Sequence, residues 1–411
     1  RRQRQMCIRD RTSPPGKKNY VDFGPVNTVV SSNFIDKVRF RASAQTTANL
    51  SPHLFLKGYA AYGVRDKKWK YEGEVEYSFL KKQYSPEEFP RNSIAISTRY
   101  DVMAPSDAML PTDKDNVFTS LKTQTIDQMS YFRQYNIRYV YEFDNHFGIT
   151  AQLRHITQNP TGTLFYRTVG GQMVPELTQS EATLSLRYAP GEKVVVTKQR
   201  RHPVNHNYPI YTLMHTTGFK DVLGGDYASN YTELSVTKRF WLNSYGRIDI
   251  YGRAGAQWNR VPFPLLITPA ANNSYIIQRS MFNMINNMEF MNDRFVSLDV
   301  QWDLSGKLFN RIPLLKHLKW REVIGFKTLY GTLTDKNNPF KQGNQSDLFE
   351  FPSRNGQPTS FVMGDTPYME LNVGIHNIFK ILRVDYVRRL NYLNAPNAKK
   401  NGARFVLQFD F

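Results

Sequence analysis

Residues 401–411 read NGARFVLQFDF, and the side on which each one falls decides the fold. Phe405, Leu407, Phe409 and Phe411 take one side; Arg404, Val406, Gln408 and Asp410 take the other. Successive side chains of a strand point to opposite faces, so the stretch has one apolar wall and one mostly polar wall. The preceding segment repeats the pattern: Leu382, Val384, Tyr386, Leu390 and Tyr392 stand against Arg383, Asp385, Arg389 and Asn391, and only Arg388 interrupts the apolar row. An apolar row that finishes on an aromatic residue predicts the closing strand of an all-β, antiparallel transmembrane β-barrel.

The same period runs upstream. In Trp69–Phe79, Trp69, Tyr71, Val75, Tyr77 and Phe79 oppose Lys70, Glu72, Glu74, Glu76 and Ser78. Tyr131–Phe143, Phe147–Ile156, Ala182–Tyr188 and Phe295–Leu304 alternate as cleanly. Val38–Gln45, Leu54–Tyr62, Ile94–Val102, Tyr208–Thr216, Tyr231–Phe240, Arg247–Ala256, Lys319–Thr332 and Tyr368–Ile375 fill the intervals, and Val194–Lys198 is expected to extend the hairpin arm before it. That makes about fifteen strands, and the even parity of bacterial single-chain barrels predicts roughly 14 to 16. Tyr20–Val30 is the place for one more.

Connection lengths test the topology. With residue 411 at the periplasmic end, the short turns Asp144–His146, Leu242–Gly246 and His376–Asn377 share that end. The long connections Ala104–Gln128, Asn159–Ser180, Asn259–Asn292 and Thr334–Thr366 share the other, as bacterial barrels require. Lys81–Arg91 and Lys307–His317 are long for the periplasmic side, and the second is expected to form a small plug or a docking turn.

Composition agrees. Mean hydropathy is low and aromatics reach 14%, with 24 Tyr and 27 Phe among 411 residues. No stretch supplies the ~20 apolar residues of a spanning helix, whereas alternating strands keep average hydropathy low. Residues 1–11, RRQRQMCIRDR, have no apolar period and read as a sequencing or expression artefact outside the fold. The barrel then occupies 12–411, truncated at its start and separated from any export signal. Setting 1–11 aside lowers the formal charge from +19 to +15 and removes Cys7, the only cysteine, and with it disulfide and thiolate-metal chemistry. The remaining basic residues are dispersed rather than gathered on one face, which favours lipid phosphates over nucleic acid as their partner.

Two stretches carry a family resemblance. Phe309–Leu333 and Pro367–Leu393, with Gly24–Thr46 and Gly58–Gly63, are similar to an uncharacterised outer-membrane family of Bacteroidota. Its members join an N-terminal carboxypeptidase-regulatory-like β-sandwich to a C-terminal barrel of unknown function. The resemblance implies that this chain is the barrel half, lies in the bacterial outer membrane, and meets periplasmic proteins through a domain that is absent here. It implies no activity.

Candidate chemistry is sparse. Glu72, Glu74 and Glu76 stand side by side on a lumen face, with Arg138, Arg154 and Arg187 as expected ion-pair partners from other strands. Arg383, Asp385 and Arg389 form a second interior ladder. His202 and His206 have i, i+4 spacing but lie in a Pro/Asn-rich stretch without a third ligand, so no metal or cofactor is expected. A barrel lipase would need an outward His–Ser pair; His155 and Thr157 are the nearest approach, and no enzyme is expected. Phe405, Phe409 and Phe411 are the expected assembly signal for the barrel-insertion machinery. The expected role is transport, secretion or envelope assembly. The alternatives are an enzyme modifying outer-membrane lipid or lipopolysaccharide, and an adhesive barrel working through 259–292 and 334–366.

Overall fold

The computed structural model describes residues 10–11, 18–109, 114–196, 201–204, 207–278, 280–341, 343 and 348–407. Among these residues one sheet holds eighteen strands, every paired neighbour antiparallel: the two-residue Asp10–Arg11 and seventeen more that follow one another around it. They are β1 (Val21–Phe23), β2 (Val30–Ser31), β3 (Arg39–Thr46), β4 (Leu54–Gly63), β5 (Trp69–Ser78), β6 (Asn92–Met103), β7 (Gln128–Glu142), β8 (Phe147–Gly162), β9 (Leu177–Tyr188), β10 (Ile210–Phe219), β11 (Ser229–Trp241), β12 (Arg247–Gln257), β13 (Arg294–Asp303), β14 (Arg321–Thr332), β15 (Tyr368–Ile378), β16 (Leu382–Arg389) and β17 (Asn401–Leu407). From β3 onward each strand pairs with the next in sequence, so every connection is a local hairpin.

Burial is inverted relative to a water-soluble domain. Arg39, Arg389 and Lys70 are among the largest fully buried side chains, while Trp69 is 64% exposed and Ile96 59% exposed. On β5 the apolar residues Trp69, Tyr71, Val75 and Tyr77 face outward, and Lys70, Glu76 and Ser78 are buried on the inside. An apolar outer row that wraps a polar interior, with no second sheet over it among the described residues, is the arrangement hydrocarbon requires. No described helix is long and apolar enough to cross a membrane; the strands make the crossing.

The first strand position is split. β1 and β2 both pair with β3, and the Val26–Thr28 turn, entered through Pro25, separates them. This interrupted pair supplies the upstream partner expected within 20–30. Asp10–Arg11 pair in turn with β1. At the other end of the sheet, β17 pairs with β16 on one edge. Its second edge receives a loop: the Phe405 amide donates to the Tyr275 carbonyl and the Phe405 carbonyl accepts from the Ile277 amide. Among the described residues no backbone bond joins β17 to β1, β2 or β3.

Three expectations require correction. Val194–Val196 does not extend β9; Pro190 and the positive-φ Gly191 end that arm, and Val194–Val196 instead pairs with Arg201–Pro203 in a separate ladder. The turn placed at His376–Asn377 lies later, at 379–381, because a bulge between Ile375 and Ile378 carries β15 on. The 307–317 connection makes no plug. It forms the exposed helix α1 (Pro313–Leu318) at the short-turn end.

Candidate functional site

The inside of the barrel is filled from the long-loop end. Residues 258–293, between β12 and β13, turn inward, and most of 261–293 is buried. Phe263, Leu266, Met288 and Met291 pack with Tyr166, Phe349 and Phe351 from two other long loops. Phe282, Ile285 and Phe290 pack on the wall residues Phe295, Leu329 and Tyr368. Folding into the lumen takes the apolar surface of this segment out of water.

Polar wall residues then fix the plug in place. The Glu370 carboxylate accepts the backbone amides of Asn283 (2.9 Å) and Met284 (3.0 Å) and the Tyr368 hydroxyl (3.1 Å). The Arg389 guanidinium donates to both Glu289 oxygens (2.6 and 3.1 Å) and to the Met284 carbonyl (3.2 Å), and both charged side chains are essentially inaccessible. Lys327 donates to the Met281 carbonyl (2.6 Å) while paired with Asp299 (3.0 Å), and Arg404 donates to the Asn283 carbonyl. Plug carbonyls and amides that would otherwise lack partners are thus satisfied by wall side chains.

A second network ties the 104–127 loop to β3, β4 and β6. Arg39 grips Asp101 through two bonds (2.6 and 3.1 Å) and pairs with Asp115 (3.0 Å); Arg41 also pairs with Asp115 (2.8 Å), and Lys114 with Asp101 (3.2 Å). The same loop holds the plug: the Leu121 carbonyl accepts the Tyr275 amide, and the Thr123 amide donates to Asn273.

The residues singled out in the sequence divide into two groups. Arg138 pairs with Glu74 (3.2 Å), one of the three glutamates it was matched with. Glu76 is held by Arg91 (3.0 Å) and Ser93 (2.7 Å), and Glu72 lies 3.6 Å from Arg99. Arg154 and Arg187 do not reach these glutamates; they pair with Glu181 (3.0 Å) and Glu192 (2.9 Å). Arg383 and Asp385 bond each other on one face of β16 (2.6 and 2.7 Å), whereas Arg389 turns to the plug. Phe405 is 37% exposed on the outer row; Phe409 and Phe411 lie outside the described residues. Toward the short-turn end the lumen arginines Arg138, Arg154 and Arg187 remain 32%, 38% and 35% exposed.

Sequence reasoning missed Glu289, Glu370, Lys327 and the Arg39–Asp101 pair. Glu370 and Lys327 alternate with outward apolar neighbours and were legible as lumen residues. Glu289 sits in a loop without a period, and its partner is 100 residues away.

At the short-turn end, Glu192 accepts from Arg187 (2.9 Å), Arg201 (3.2 Å) and Tyr208 (3.1 Å). Burial alone would raise the Glu192 carboxyl, but the hydrogen bonds and charge of Arg187 and Arg201 outweigh it and hold the carboxyl below the ordinary range. Burial and the same carboxylate push the Tyr208 phenol up to about 12.

An outward His–Ser pair does exist, formed by a residue other than Thr157. The β8–β9 register sets Ser180 opposite His155, with Nδ1 3.0 Å from Oγ. Ser180 Oγ donates to the Val222 carbonyl (2.8 Å), so its single proton is committed to a backbone acceptor and the imidazole is left to donate to Oγ. No described group orients the far ring nitrogen. This geometry pins the 220–228 loop to the wall rather than activating a nucleophile. Among the described residues no group of three or more His, Cys, Asp or Glu converges to hold a metal. The His202 backbone lies in the 201–203 ladder, and His206 is outside the described residues.

Comparison with known proteins gives the fold and a family. The structure resembles that of BamA from Haemophilus ducreyi lacking POTRA domains 1-3, with TM-score 0.57, 8% identity, and coverage of 97% of this chain and 74% of that one. It is also similar to CdiB from Acinetobacter baumannii, with TM-score 0.45, 10% identity, and coverage of 92% of this chain and 57% of that one. No curated protein matches in sequence. At 8% identity the likeness to the BamA structure shows a β-barrel fold and nothing finer. Residues 10–340 match the model of the C-terminal domain of a family of unknown function, DUF5686, and the chain belongs to that family.

Proposed function

We propose that this protein is an outer-membrane barrel of envelope assembly, working on polypeptide from the periplasmic side, and is neither a diffusion pore nor an enzyme. The observation that carries this reading is the plug: 258–293 fills the outward mouth and is held there by the buried Arg389–Glu289 pair. A diffusion pore needs a continuous aqueous path, and a buried segment bonded to the wall across the lumen removes it. What stays accessible is the short-turn half of the lumen, with its exposed Arg138, Arg154 and Arg187, and the loop-filled seam beside β17. Among the described residues two backbone bonds, both at Phe405, hold this edge of β17, so it opens at lower cost than the seven-position pairing of β17 with β16 on the other edge. Outer-membrane lipid and lipopolysaccharide would contact the apolar row. The barrel-insertion machinery would read the closing strand that contains Phe405, and a periplasmic domain would deliver the client.

The test is reconstitution. An unfolded outer-membrane barrel is added to vesicles containing this protein, and the rate at which it becomes protease-resistant and heat-modifiable is measured. Assembly activity predicts faster folding than in vesicles without the protein. Equal rates, together with sugar-driven swelling at the speed of an open porin, contradict the proposal.

A further inference from the structure

The short-turn end carries an apolar surface that the barrel does not use. The 304–320 connection and the 379–381 turn follow β13 and β15, and the Asn377 amide ties them together by donating to the Lys319 carbonyl (2.7 Å). Together they expose Leu308, Ile312, Leu314, Leu318, Phe379 and Ile381; Leu314 is 77% and Phe379 85% exposed. Arg311, Lys316, Lys319, Arg321 and Lys380 stand exposed among them, and no acidic residue occurs in 304–321 or 374–384. The patch continues directly from an aromatic rim. Trp302 donates to the Tyr245 carbonyl (2.9 Å), and the Lys307 ammonium lies 4.1 Å from the Tyr245 ring centre.

We propose that this patch is a membrane foot: α1 and the 379–381 turn lie in the headgroup layer of the periplasm-facing leaflet and bind anionic phospholipid. Two observations select lipid as the occupant. The patch adjoins strand ends already wetted by hydrocarbon on the outer row, and its charge is of one sign, complementary to phosphate. Leu314 and Leu318, one helical turn apart, enter the acyl boundary while Lys316 and Lys319 reach the phosphates. The foot fixes the depth of β13–β16 in the bilayer. It depends only on the barrel crossing a membrane, so it stands or fails independently of the assembly role.

The full chain carrying Cys7→Ser and Leu314→Cys is labelled at residue 314 with an environment-sensitive dye. It is reconstituted into phosphatidylglycerol–phosphatidylcholine vesicles or into phosphatidylcholine alone, with lipids brominated near the headgroup as quenchers. The foot predicts blue-shifted emission and quenching about twofold stronger in the anionic vesicles. That excess disappears when Arg311, Lys316, Lys319 and Lys380 are all changed to Gln, while heat-modifiable mobility shows the barrel still inserted. Water-like, unquenched emission from an inserted barrel overturns the proposal. So does a spectral shift that appears only when a soluble periplasmic fraction is added, since the patch would then face a protein.

Discussion

The wall and the plug are built from the same chain under opposite rules. In the wall, outward residues such as Trp69, Ile96 and Leu153 are apolar and exposed, and charges are buried on the inner face. In the plug, Phe263, Phe282, Ile285 and Met291 are buried as in any soluble core, and backbone groups find partners in wall charges. The wall is specified by its solvent, hydrocarbon on one side and a polar lumen on the other. The plug is specified by contacts between residues far apart in sequence. Disturbing one should leave signatures that disturbing the other does not.

The largest expected effect is at the joint between the two. Arg389→Met leaves the Glu289 carboxylate buried without its cation, a loss of about 3–5 kcal/mol. Limited proteolysis should then cut within 258–293 while the strands stay protected. Adding Glu289→Met should restore most of the resistance, because no unpaired charge remains. If the double variant is cut as readily as the single one, the plug is not held by this pair.

A charge on the outer row comes next. Leu153→Arg places a cation against lipid at about 2–4 kcal/mol if it lies near the bilayer centre. The yield of heat-modifiable barrel in vesicles should drop for Leu153→Arg and stay near the parent level for Gln152→Arg, the neighbouring lumen position. Equal losses at both positions would mean that the outer row is not lipid-facing.

Acid should act at the short-turn end through Glu192. Because the folded Glu192 carboxyl lies below its unfolded value, its stabilisation is complete above the ordinary glutamate pKa of about 4.3 and is lost as pH falls through the lower folded value. Hydrogen exchange in 189–196 should therefore accelerate below about pH 4, and Glu192→Gln should remove that dependence. The smallest effect belongs to Ser180. Ser180→Ala removes the bond to the Val222 carbonyl and the bond from His155, each worth about 1 kcal/mol, and a fluorophosphonate probe should label the parent no more than this variant. Specific labelling of Ser180 would revive the lipid-enzyme alternative.

How much was legible follows the same division. The period-two rows of β5, β7, β8, β9 and β13 exposed the barrel and its lumen face, because every residue of a strand reports which solvent it meets. Turn lengths sorted the loops to the correct ends. Ion-pair partners depend on register and reach: Arg154 takes Glu181, directly opposite on β9, while Glu74 and Arg138 meet across the intervening β6, and neither relation can be read from one strand's own pattern. The plug was illegible. Residues 259–292 read as an outward loop, with an adhesive surface as one alternative, because nothing local distinguishes a polar-apolar loop that folds inward from one that does not. Its burial leaves little of it for an external partner. Ser180 was missed for a related reason: its pairing with His155 depends on inter-strand register, which the two strands' own patterns leave open.

Electrical conductance of the purified full chain in a planar bilayer addresses the central claim most directly, set beside a variant in which 260–291 is replaced by a short Gly-Ser linker. The plugged lumen predicts a parent that stays closed and a variant that opens to steady, voltage-independent current. A parent already conducting at the level of the variant would contradict it.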